Sequence, residues 1–183
     1  MSRKYKFQDQ GSAYFVTFTV VRWIDVFIRD EYREIVVDSI RHCQKHKGLI
    51  VYAWCIMTSH VHLIIGTDGT MELSGIVRDL KAFTSRSIRK LIEEHPGEIR
   101  RDWLLWMLGN AGKYNPANDD WQLWQHHSHP IELSDTERAK QRLHYLHDNP
   151  VAAGFVPEPD HWRWSSAHDY CGGKGPVDIV FLY

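Results

Sequence analysis

The sequence lacks the material for disulfides, thiolate metal clusters and membrane spans. Its three cysteines, Cys43, Cys55 and Cys171, are odd in number and show no Cys-x-x-Cys spacing. That pattern suits a reducing compartment and excludes a disulfide framework or a thiolate zinc site. No segment approaches the roughly 18 apolar residues of a membrane helix, and Met1 to Gln10 is polar, with no apolar core for a signal peptide. A cytoplasmic protein without a membrane partner is expected. Gly-rich phosphate loops, HExxH and GxSxG are absent as well, which leaves nucleotide-dependent, zincin and α/β-hydrolase chemistry without support.

A surplus of either charge is also lacking: the net charge is −1 at pH 7. The distribution is uneven, since residues 1–101 carry 16 Lys/Arg against 12 Asp/Glu and residues 102–183 carry 6 against 11. A local basic face is enough for nucleic acid, so this balance permits DNA binding without requiring it. What the chain does have is 12 histidines and 8 tryptophans in an ordinary globular composition, 43% hydrophobic and 25% charged. Its 183 residues suit one domain with a real core.

Ala13 to Val20 is β-branched and aromatic and predicts a strand. Asp30 to Lys47 places Ile35, Val36, Ile40 and Cys43 at helical spacing, with Gly48 as a stop. Leu49 to Ile56 and His60 to Ile65 predict two strands joined tightly by Met57-Thr58-Ser59. Leu73 to Glu94 is a long amphipathic helix closed by Pro96 and Gly97. Ile99 to Leu108 suits a short helix, and residues 109–120 a turn-rich loop. Trp121 to Gln125 predicts a fourth strand. Ser134 to Asn149 predicts a helix, with Ser134 and Glu137 at capping-box spacing and Asn149-Pro150 as its end. The order predicts an α+β fold: a ferredoxin-like antiparallel sheet with helices on one face, plus a C-terminal helix.

His60 and His62 are the first candidates for chemistry. Positions i and i+2 of a strand share a face, with Cα atoms roughly 6.5–7 Å apart, so two imidazoles can converge on one cation while Val61 points to the core. Two solvated histidines on a half-exposed strand is the plainer account. Tyr145 and Asn149 share a face of the last helix, four residues apart, with Arg138, Gln141 and Arg142 on or near it. A free phenol holds its proton at neutral pH, but a cation on a scissile phosphate and good positioning can make it a nucleophile. Spacing alone fits a core aromatic at Tyr145 equally well. His147 falls about 200° around the helix from Tyr145 and is the weaker co-ligand. Lys81, Arg86 and Arg89, interleaved with Thr84 and Ser85, form a candidate phosphate-contacting face, or simply a solvated one.

Five blocks carry a family resemblance: "WCIMTSHVHLII" (54–65), "LKAFTSRSI" (80–88), "LWQ" (123–125), "YLHDNPVAAGFV" (145–156) and "WRWSSAHDY" (162–170). In this order, across nearly the whole chain, they resemble the REP-associated branch of the single-tyrosine HUH transposases. The resemblance implies a nuclease and strand-transfer enzyme acting on single-stranded DNA beside hairpins. It implies that His60 and His62 bind Mg²⁺ or Mn²⁺, with Asn149 as the third ligand. Tyr145 would be the nucleophile, forming a 5′-phosphotyrosine and releasing a 3′-hydroxyl. A homodimer is compatible, because relatives place the tyrosine helix either in its own subunit or in a partner. Two departures stand out: Thr58-Ser59 replaces the usual Pro-Asn before the histidines, and "HHSHPI" follows the Trp-Gln pair where an aromatic or Gly-rich stretch is usual. A domesticated relative that grips hairpin DNA without cutting is the alternative reading.

Overall fold

The computed structural model describes residues 7–113, 120–126 and 128–182. Four strands pair antiparallel in the order β2-β3-β1-β4. They are β1 (Tyr14–Thr19), β2 (Leu49–Ile56), β3 (His60–Thr67) and β4 (Ile131–Glu132). Helices α1 (Asp30–Lys47), α2 (Leu73–Glu94), α3 (Arg101–Lys113), α4 (Thr136–Ala152) and α5 (Ala167–Tyr170) complete the chain. The connection order and sheet order are those of a ferredoxin-like α+β fold.

The sheet is apolar on both faces, so its strands are buried almost throughout. Val16, Phe18, Trp54, Ile56, Val61, Leu63 and Ile65 face α1 and α2. Phe15, Ala53, Cys55, Met57 and Ile64 face the other way, against Leu143 and Leu146 of α4. Two-residue alternation along each strand therefore separates a structural face from a face that α4 covers in part. The five sheet side chains and the two leucines of α4 bury one another and dock the helix, since each large apolar side chain contributes about 1.5–3 kcal/mol when fully buried.

Four expectations are corrected. Trp121 to Gln125 is not the fourth strand: its backbone pairing is an isolated Val20–Trp124 bridge rather than a ladder. Leu123 and Trp124 are both buried, and Trp124 stacks on Phe27 (5.6 Å) while its Nε1 donates to Thr84 Oγ1 (2.9 Å). Side-chain anchoring, not a strand ladder, sets this segment, and the fourth strand is the short β4. Second, the N-cap of α4 is Asp135, whose carboxylate accepts from Arg138 N at 2.8 Å, rather than Ser134. Third, Pro150 lies within α4 instead of beyond its end. In the last turn proline forfeits only one intrahelical bond. The helix then closes on Gly154 at φ 75°, with Gly154 N bonding Val151 O and Phe155 N bonding Pro150 O, the Schellman pattern that glycine permits. Of the turn-rich loop expected at 109–120, residues 109–113 continue helix α3 instead, and 114–119 lie outside the described residues.

Candidate active site

β3 presents His60 and His62 on the α4 face. Register pairs Thr19 with His60 and Thr17 with His62, and the two imidazole rings stand 4.7 Å apart, edge to face. Cross-strand pairing explains the next contact: Thr17 Oγ1 lies 2.8 Å from His62 Nδ1. Ser59 Oγ lies 3.3 Å from His60 Nδ1. His62 is only 4% exposed, and its Nε2 is buried with no hydrogen-bond partner. Buried polar atoms are rarely left so. Burial pushes the His62 imidazole down to about 3, with the nearby charges of His60 and Arg142 acting in the same direction. It is therefore neutral at physiological pH, and with Nδ1 engaged by Thr17 its Nε2 can offer a lone pair. Burial also lowers His60, opposed by a hydrogen bond with Asn149 and by the charge of Asp25.

α4 supplies the facing groups. Its buried stripe, Ala139, Leu143, Leu146 and Pro150, seats it on the sheet. The adjacent stripe, Arg142, Tyr145 and Asn149, then lies over the histidines. The Tyr145 ring is 5.4 Å from that of His62 and 6.0 Å from that of Phe15, and it remains 50% exposed. Arg142 places its guanidinium carbon 5.2 Å from the Phe15 ring and 5.9 Å from the Tyr145 ring. Asn149 Nδ2 donates to the Tyr145 carbonyl at 3.2 Å, and its side chain also hydrogen-bonds His60. Among the described residues no three of His, Cys, Asp and Glu gather into a metal cluster. Asn149 brings a neutral amide oxygen to the same face of α4 as Tyr145. The donor set of two imidazoles, one with an orphaned nitrogen, and an amide fits a divalent cation.

His147 turns away, as its angular position predicts. Its Nε2 lies 2.9 Å from Ser166 Oγ, its ring packs on Tyr170 at 5.1 Å, and burial pushes it down to about 4. Ser166 in turn accepts from Trp54 N (2.9 Å), while Ile56 N donates to Trp164 O and Ser166 N to Trp54 O. The Trp-Ser-Ser segment thereby covers the outer edge of β2, an edge that would otherwise expose unpaired backbone groups. So the motif from Tyr145 to Ser166 divides in two: Tyr145 and Asn149 look toward the histidines, whereas His147, Gly154 and Ser166 hold the scaffold.

The three cations on α2 do not form one stripe. Lys81 is half-buried, donates to Gln125 O (2.7 Å) and Ser128 Oγ (3.3 Å), and is pushed down to about 8 by burial. Arg89 pairs with Glu93 (2.9 Å) and lies over Trp121. Arg86 is exposed and turned toward the groove between α1 and α2. All three sit on the helix that covers the sheet face opposite the histidines. Sequence reasoning missed the partner of His62, Thr17; only the cross-strand register reveals it, although its place two residues after Phe15 on one strand face was a signal.

On a split βαβ sheet, a histidine pair on a central strand is thus faced by a tyrosine on an appended helix. The chain belongs to the IS200-like transposase family, whose model matches residues 12–107. That match spans the histidine pair but stops short of Tyr145. Among solved structures, the chain resembles the REP-associated tyrosine transposase bound to a REP hairpin, with a TM-score of 0.67 at 16% identity over 100% of this chain and 94% of that one. A candidate transposase from Deinococcus radiodurans aligns with a TM-score of 0.45 at 18% identity, over 81% of this chain and 95% of that one. No curated protein matches the sequence. Among the described residues no helix is long and apolar enough to cross a membrane.

Proposed function

We propose that this chain cuts and rejoins single-stranded DNA beside hairpins, using Tyr145 as nucleophile, and that one domain in the cytoplasm supplies the whole site. The observation that carries the proposal is the buried, unpartnered Nε2 of His62 beside the half-exposed Tyr145 ring. An orphaned nitrogen at that point suits a ligand, and a phenol at that point suits attack on whatever the ligand holds. Tyr145 Oη attacks the phosphorus of a DNA phosphodiester; the bond from phosphorus to the 3′-oxygen breaks, and the 3′-oxygen takes a proton from water to leave as a hydroxyl. The 5′-phosphate stays on the tyrosine, and the phenol proton passes to solvent at the exposed edge of the ring. A free 3′-hydroxyl reverses the step and rejoins a strand. Arg142, beside the phenol, offsets negative charge on the attacked phosphate. His60, His62 and Asn149 would hold Mg²⁺ or Mn²⁺, which when bound would withdraw charge from the scissile phosphate. The hairpin preference takes support from the partner of the structural neighbour, a REP hairpin. Because Tyr145 meets the histidines of its own chain, a homodimer is compatible with the reaction but not needed for it.

The test is a hairpin-bearing strand labelled at its 3′ end, incubated with the protein and Mn²⁺ and run under denaturing conditions. A covalent protein–DNA band is expected for wild type and is lost in Tyr145→Phe. An adduct from Tyr145→Phe overturns the nucleophile assignment. Hairpin binding by wild type with no adduct at all would instead mark a DNA-gripping relative that does not cut.

A further inference from the structure

Beside the histidine pair the chain makes an unusual turn. Arg22 and Trp23 are consecutive non-glycine residues in the left-handed region, at φ 57° and 56°, where L-residues meet steric resistance. The surrounding segment is firmly anchored. Val21, Ile24, Val26 and Phe27 are buried. Val20 N donates to Ser59 O (2.9 Å) and Phe27 N to Thr58 O (2.8 Å), which ties both ends to the turn that leads into His60. Within this pinned loop the largest apolar side chain stays outside: Trp23 is 59% exposed, and its ring stands edge-on to His60 at 5.4 Å. A strained backbone that holds a tryptophan in water adds little to the core, and such strain collects at ligand sites.

The surface continues onto α3. Arg22 Nη1 lies 3.9 Å from Met107 Sδ, and Trp103 and Trp106, on the same helical face as Met107, are 47% and 61% exposed. Trp23 thus stands against His60, and Arg22 beside it reaches Met107 on the helix that carries the two exposed tryptophans. Flat rings offer a stacking face to any unpaired base, and an interleaved arginine answers the phosphate. Paired bases have no free face, so the occupant these groups suit is a single strand.

We propose that Trp23, with Arg22 beside it, is a stacking platform for an unpaired base of the strand held at His60 and His62, and that Trp106 and Trp103 carry the strand onward along α3. This rests on the strand-transfer reading for its substrate class, and its test is arranged to fail separately. Binding is measured by fluorescence anisotropy with a labelled oligothymidylate in the Tyr145→Phe background, where the DNA stays intact. Trp23→Ala weakens binding about 10- to 100-fold without changing its salt dependence, and Trp23→Phe recovers most of the loss. Arg22→Gln lowers the salt slope by about one. Trp23→Gly, relieved of the left-handed strain, is no less heat-stable than wild type yet binds DNA weakly.

Wild-type affinity in Trp23→Ala overturns the platform even if Tyr145 still forms its adduct. Trp23-dependent binding with no adduct in the wild type leaves the platform standing and sinks only the strand-transfer reading. Joint loss of stability and affinity in Trp23→Gly makes Trp23 a structural residue and also overturns the proposal. A change of oligomeric state in Trp23→Ala by light scattering, with DNA affinity intact, assigns the surface to a second copy of the chain and does the same.

Discussion

Replacing Thr17 with valine isolates the contact that orients His62. The substitution preserves shape and β-branching, so the strand geometry is retained and only the hydroxyl is lost. His62 Nδ1, now 2.8 Å from Thr17 Oγ1, then has no partner, in an imidazole whose Nε2 already has none. Leaving one buried polar group unpaired costs about 1–3 kcal/mol, so the metal-free variant should lose stability by that amount in urea denaturation. The effect on the cation follows separately. Loss of an outer partner lowers metal affinity about 10- to 100-fold, because the ring no longer keeps its proton on Nδ1 and its lone pair on Nε2. Mn²⁺ titration by calorimetry should show that loss in Thr17→Val, near-complete recovery in Thr17→Ser, and no binding at this site in His62→Ala. Unchanged Mn²⁺ affinity in Thr17→Val, with His62→Ala inactive in binding, would refute the orienting role. Binding that survives His62→Ala removes the histidine from the ligand set altogether.

Other perturbations test the scaffold. Glu98 is buried among Tyr32 Oη (2.8 Å), Arg29 Nε (3.3 Å) and Arg100 Nε (3.1 Å); Glu98→Ala strands those groups and should cost about 3–5 kcal/mol in chemical denaturation. Burial alone would raise that carboxyl, but its hydrogen bonds with Arg100 and Tyr32 hold it down to about 2, so its contribution is present above the ordinary carboxylate range and fades as pH falls toward that value. His147 has the opposite charge type and the same sign of effect. Because burial pushes it down to about 4, the unfolded chain takes up a proton first, and stability drops by about 1.4 kcal/mol per pH unit on acidification between the ordinary histidine range and that value. His147→Gln should remove that slope when unfolding free energy is measured against pH, and an unaltered slope would contradict the burial argument. Gly112→Ala would place a methyl 2.1 Å from the backbone nitrogen of Trp121; a lower melting temperature is expected despite alanine's better helix propensity, since backbone cannot move aside as a side chain can.

The long elements were legible before any coordinates. Asp30–Lys47, Leu49–Ile56 and Leu73–Glu94 match the predicted boundaries because their apolar periodicity is strong and Gly48 and the Pro96-Gly97 pair mark the ends. The short fourth strand was not legible. Ile131 and Glu132 make too brief a run to show alternation, and the tryptophan-rich stretch before them imitates a strand while packing as a loop. The end of α4 was misread for a related reason: a proline signals disruption, but its cost depends on how many turns follow it, and here fewer than one does.

By itself the amino-acid order determined which residues share a strand or helix face, because periods of 2 and 3.6 are local properties of the backbone. It therefore placed His60 with His62, put Tyr145 with Asn149, and set His147 apart from them. Tertiary structure decided everything that depends on which faces meet. It docked α4 on the histidine side of the sheet, brought Thr17 against His62, drew Lys81 onto Gln125 and Ser128, and left Trp23 standing in solvent beside His60. Those outcomes follow from burial and strand register across residues far apart in the chain, and no local pattern encodes them.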